Sequence, residues 1–98
     1  MIDKPLPLSI RPSKQFRRDV KKLRKSGYDV NRLESLVQFL ADGIFLAPSF
    51  KNHRLQGEYA GKEECHLGFD WILIYERSFE EGILRLARSG THSDLFKK

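Results

Sequence analysis

Residues 53–75 read HRLQGEYAGKEECHLGFDWILIY, and the fold turns on how this stretch is taken. The run 70–77 is the clearest strand of the chain, because Trp71, Ile72, Leu73, Ile74 and Tyr75 are apolar almost without a break. Residues 63–67 predict a strand just before it, with Gly68 at the turn. A connection this short leaves only antiparallel pairing. Toward the C-terminus, 78–82 predicts a second turn and 83–88 a returning strand. Gly90 breaks that strand, and 92–96 predicts a short terminal turn or helix. Toward the N-terminus, Pro48, Gly57 and Gly61 punctuate 44–61, which reads as loop with a short strand near 53–56.

Further upstream the apolar period becomes helical. Phe16, Val20 and Leu23 recur at helix spacing, Ser13 is placed to cap the first turn, and Gly27 is placed to end the helix. Asp29 is the expected cap of a second helix, whose stripe is Val30, Leu33, Leu36, Val37 and Leu40, with Gly43 beyond its end. Leu6, Leu8 and Ile10 alternate, so 6–11 predicts a short strand, which Pro7 confines to an edge or to a late start. Residues 1–5 read as a loose tail. The expectation is one α+β domain over 1–98, with a helical hairpin packed on one face of a small antiparallel sheet. The other face is left partly open.

Ninety-eight residues suffice for one modest core. A formal charge of +5 and a pI near 9.6 point to an anionic partner. The first helix concentrates that charge: Lys14, Arg17, Arg18, Lys21, Lys22, Arg24 and Lys25 face a single acid, Asp19. Such a run reads as a phosphate-tracking or acidic-partner surface, with a merely solvated face as the plain alternative. Cys65 is the only cysteine, so an internal disulfide is impossible and a reducing compartment fits. The longest apolar run is far below the roughly 20 residues a membrane helix needs. MIDKPLPL lacks the apolar region of a secretory signal. A cytoplasmic protein with no membrane partner is expected.

His53, His66, Asp70 and His92 fall in loops or at strand ends around the predicted sheet. Imidazole, with an ordinary pKa near 6.5, suits proton transfer at neutral pH. Several such groups on a basic surface with Tyr59, Trp71 and Phe96 nearby suit RNA cleavage. There the ribose 2′-hydroxyl attacks, one group takes its proton, and another protonates the leaving 5′-oxygen. No metal or other cofactor is required. A bound metal remains an alternative for three histidines and an aspartate, although none of the spacings is a known metal motif. A non-catalytic binding module fits the same residues equally well. Trp71, at the head of a core strand, also reads as packing.

HRLQG at 53–57, ECH at 64–66, DWILIY at 70–75 and SGTHSDLF at 89–96 occur in that order. Together they resemble the YafQ branch of the RelE-type toxins of bacterial type II toxin–antitoxin modules, over the chain from Ser13 to its end. The resemblance implies a ribosome-dependent endoribonuclease, an mRNA interferase, on a helical hairpin over an antiparallel sheet. It implies His53, His66, Asp70 and His92 as catalytic groups, with His92 as the acid and Asp70, with His66 or His53, orienting or deprotonating the 2′-hydroxyl. Trp71 and Phe96 would shape the mRNA pocket; Arg88 would offset phosphate charge or only cap the strand end, and Glu64 is a candidate helper that reads more simply as a surface acid. The implied partners are a cognate antitoxin, ribosomal RNA and mRNA, with operator DNA reached through the antitoxin. Tyr59, where a tryptophan is familiar, and Phe69, where a proline often precedes the aspartate, depart from the pattern and bear on codon preference.

Overall fold

The computed structural model describes residues 5–96. Most of the predicted tail, residues 1–4, lies outside the described residues. Among them the elements run β1 (Ser9–Pro12), α1 (Lys14–Lys25), α2 (Val30–Ala41), β2 (His53–Arg54), β3 (Glu63–Gly68), β4 (Trp71–Ser78), β5 (Ile83–Gly90) and α3 (His92–Leu95). The strands form one sheet in the order β1-β5-β4-β3-β2.

β2, β3, β4 and β5 pair antiparallel, as their short connections require. β1 does not follow the expectation of an all-antiparallel sheet: it lies parallel to β5, with Ser9 opposite Ile83 and Pro12 opposite Leu86. The whole of the chain between these two strands, helices included, separates them, so no tight turn dictates their direction. The Ser9 and Ser13 N–H groups bond Gly82 and Leu86 carbonyls. Alternation then turns the Pro12 nitrogen outward, where its missing N–H costs no ladder bond. Of the three alternating residues Leu6, Leu8 and Ile10, only Leu8 is buried. The strand begins late, after Pro7.

α1 forms as its sequence predicts. The Phe16 N–H donates to Ser13 Oγ at 2.9 Å, and that hydroxyl donates to the Ala87 carbonyl, tying the helix start to β5. Gly27, at φ +86°, ends the turn in a conformation that side-chain-bearing residues avoid. Asp29 precedes α2, but its side chain makes no capping bond. The apolar stripes of both helices cover one sheet face, burying Leu33, Leu40, Leu67, Leu73, Tyr75, Leu84 and Leu86. Each such side chain contributes about 1.5–3 kcal/mol.

The other face carries a smaller cluster of Ile72, Ile74 and Leu95, with Leu55, Tyr59, Ala87 and Phe96 packed around it. A bulge in β5 leaves Ala87 opposite no residue, since Ile74 pairs with Arg88 and Tyr75 with Leu86. Two consecutive residues, Ala87 and Arg88, thereby turn to this second face. A Cβ at Gly90 would stand 3.3 Å from Leu95, so glycine lets α3 fold back tightly onto the end of β5.

Candidate active site

The second face holds the ionisable residues because β3 alternates. Cys65 and Leu67 enter the helix-side core, so Glu64 and His66 must point the other way. Register then sets their neighbours: His53 of β2 lies opposite Glu64, and Ile72 of β4 lies opposite His66. Asp70 sits in the β3–β4 turn. His92 opens α3, whose first turn is capped by Thr91 accepting from the Asp94 N–H at 3.1 Å.

Glu64 is the hub. Its side chain is almost fully buried, and its Oε2 lies 2.9 Å from His92 Nε2, 3.1 Å from His66 Nε2 and 3.8 Å from His53 Nε2. Asp70 Oδ1 accepts from the His92 backbone N–H at 3.2 Å and lies 3.1 Å from His92 Nδ1. The four sequence-predicted residues His53, His66, Asp70 and His92 thus converge on one spot. Glu64 corrects the reading of it as a surface acid. Residues two apart on a strand share a face, so its placement beside His66 could have revealed it.

Hydrogen positions on two rings follow from partners that can only accept. His53 Nδ1 lies 2.9 Å from the Lys51 carbonyl, so this nitrogen carries a hydrogen, and in the neutral ring the lone pair is on Nε2. Both His92 nitrogens face carboxylates, Glu64 and Asp70, an arrangement that suits the doubly protonated ring. The Glu64 hydrogen bond, and after it that of Asp70, holds His92 above the ordinary imidazole range, with desolvation opposing. Reciprocally, the His92 ring, and then its backbone N–H, draws Asp70 below the ordinary carboxylate range.

Phe96 stacks on His92 with ring centroids 5.9 Å apart and meets Tyr59 edge-on at 5.6 Å, so it borders the cluster. Trp71 does not line this site, contrary to expectation. It lies on the helix face, 7% exposed, with its indole N–H donating to Ser89 Oγ at 3.0 Å and its ring edge-on to Tyr28. It shares a face with Leu73 and Tyr75 for the same alternating reason. Phe69, at the turn tip beside Asp70, is fully exposed. Arg88 reaches round the edge of β5 to Asp19 at 2.8 and 3.0 Å, and one of its N–H groups points at Tyr59 Oη, 3.5 Å away. Its guanidinium is held above its ordinary pKa by that carboxylate.

Glu64, His66 and His92 also place three ligand atoms within 4.8 Å of one another, a spacing that fits a transition-metal ion. Cys65 beside them is fully buried, and desolvation pushes its thiol up to about 12, so it is no nucleophile.

A helical hairpin over a five-stranded sheet is the RelE-like fold of small toxin domains. The family model described as bacterial toxin of type II toxin–antitoxin system, YafQ, matches residues 8–97, and the chain belongs to that family. It is 39% identical over 85 residues to the mRNA interferase toxin YafQ of Escherichia coli strain K12, covering 86% of this chain and 90% of that protein. The toxin chain of the E. coli DinJ–YafQ complex superposes with a TM-score of 0.81 at 38% identity, over 91% of this chain and 98% of that one. A metal-bound toxin from Helicobacter pylori gives 0.82 at 43% identity, over 91% and 99%.

Proposed function

We propose that this chain is the toxin of a type II module and acts as an endoribonuclease on messenger RNA at the ribosome, with a cognate antitoxin as its inhibitor. The observation that carries the reading is Glu64 facing three imidazoles at once, with Asp70 holding the third from behind.

The chemistry follows from the protonation pattern. His53 Nε2 has a lone pair and no acceptor-only partner within hydrogen-bond distance, so it takes the proton of the ribose 2′-hydroxyl. The 2′-oxygen forms a bond to phosphorus, and the bond from phosphorus to the 5′-oxygen breaks. His92 turns its Nε2 proton from Glu64 to that oxygen, while Asp70 keeps hold of Nδ1, as a carboxylate orients the imidazole in other acid/base pairs. The products are a 2′,3′-cyclic phosphate and a 5′-hydroxyl. Glu64 stabilises whichever ring is cationic. His66, between the other two imidazoles, is placed to meet the charge that develops on the phosphoryl oxygens. Phe96 and the exposed Phe69 offer ring faces for unpaired bases.

α1 brings the docking charge. Lys22 reaches Asp94 of α3 at 3.5 Å, so the basic helix runs directly beside the catalytic segment. Ribosomal RNA is the polyanion it fits. The antitoxin covers this basic surface and, with its own DNA-binding part, carries the pair to operator DNA.

A metal ion held by Glu64, His66 and His92 would supply Lewis acidity, but it would occupy the His92 nitrogen that must carry a proton. Excess chelator is therefore expected to leave cleavage intact. In cells, induced expression should arrest growth, and His92→Ala or Asp70→Ala should relieve the arrest. Full arrest by both variants would overturn the reading.

A further inference from the structure

His53 sits on the shortest strand of the sheet, yet its ring is aimed with care. Part of the reason lies on the opposite face. Tyr75 is buried among the helix-side residues, and its hydroxyl donates to Asn52 Oδ1 at 2.6 Å. Asn52 Nδ2 donates to Glu63 Oε1, also at 2.6 Å. Glu63 lies opposite Tyr75 across β3 and β4, so one amide is clamped between two residues of the rigid centre of the sheet. A carboxylate accepts only, which fixes the amide's orientation and leaves its oxygen for the phenol. Burial keeps that phenol above its ordinary pKa, so it remains a donor.

The residues on either side of Asn52 are the ones that matter for the base. Lys51 has φ +51°, a left-handed conformation costly for a lysine, and its N–H bonds the Pro48 carbonyl at 2.9 Å. Such strain persists only where neighbours enforce it. In this conformation the Lys51 carbonyl turns back to His53 Nδ1. Asn52 and His53, successive residues, point to opposite faces of the sheet, so whatever fixes the first aims the second.

We propose that Tyr75 and Asn52 are positioning residues: the Tyr75–Asn52–Glu63 chain locks the Lys51 carbonyl against His53 and so selects the tautomer that leaves the lone pair on Nε2. The proposal rests on the reading of His53 as the base. Their effect passes through His53.

The test uses full-length chain labelled with 15N-histidine, as parent, Tyr75→Phe and Asn52→Ala. Tyr75→Phe keeps the ring that fills the core, and Asn52→Ala truncates an exposed side chain, removing the acceptor of the Tyr75 hydroxyl while leaving the apolar packing in place. The 15N shifts of the His53 ring report its tautomer at a pH where it is neutral, and cleavage on programmed ribosomes gives kcat and KM. The parent should show Nδ1–H alone. Both variants should show a mixture, with kcat lower by about ten- to a hundred-fold and KM little changed. A His53 that stays wholly in the Nδ1–H form in both variants would overturn the proposal. A mixed tautomer with unchanged kcat would support the positioning and remove His53 as the base, so the two claims fail separately.

Discussion

Glu64 is the residue on which most depends. Among the described residues every buried side-chain nitrogen or oxygen has a partner, and this carboxylate serves three rings. Its hydrogen bond is the largest cause of the raised His92 pKa. The rate should therefore fall at high pH, as His92 loses its proton. The falling limb should stand above the ordinary imidazole value. Glu64→Gln keeps the shape and removes the charge, so that limb should move to lower pH and the maximal rate should drop by about a hundred-fold. An unmoved limb would show that another group is the acid. Much at this scale was legible in sequence: the three histidines, the scarcest acid/base side chains of the chain, and Asp70 fall around the central strands, and they do meet. Glu64 is obscured because acids are usually solvated, and for Trp71 the motif points to the site whereas strand alternation, which prevails, turns it into the core.

The helices read clearly because each element carried its own signal. Ser13 and Gly27 bound α1, and the stripe from Val30 to Leu40 is buried as its spacing demands. β1 was harder. Its direction depends on a partner at the far end of the chain, and no local pattern encodes that. The tie between α1 and β5 was likewise silent in sequence. Asp19 accepts from Arg88 twice and from the Ser89 backbone N–H at 3.0 Å, all beyond the point where β1 stops covering the β5 edge. Asp19→Ala would leave a half-buried guanidinium and a buried N–H without their acceptor. Urea unfolding should show a loss of about 3 kcal/mol. A loss below about 0.5 kcal/mol would mean that water replaces the carboxylate at little cost.

On the scale of the whole molecule the sheet separates duties. One face is sealed by the hairpin, the other holds the clustered imidazoles and carboxylates, and α1 lines the border with cations. Affinity for ribosomes should fall steeply as salt rises, and replacing Arg18 and Lys22, the α1 cations beside Thr91 and Asp94, with alanine should flatten that slope by about one unit for each phosphate no longer neutralised. An unchanged slope would place the docking charge elsewhere. The net positive charge was plain from composition, whereas the face it borders required the fold. The most direct test of the central claim is cleavage of a message on programmed ribosomes, in excess chelator, with the 2′-hydroxyl of the scissile nucleotide either present or replaced by hydrogen. The ribose message should be cut to a 2′,3′-cyclic phosphate while the deoxy message stays whole; equal cutting of the two would contradict an attack that begins at that hydroxyl.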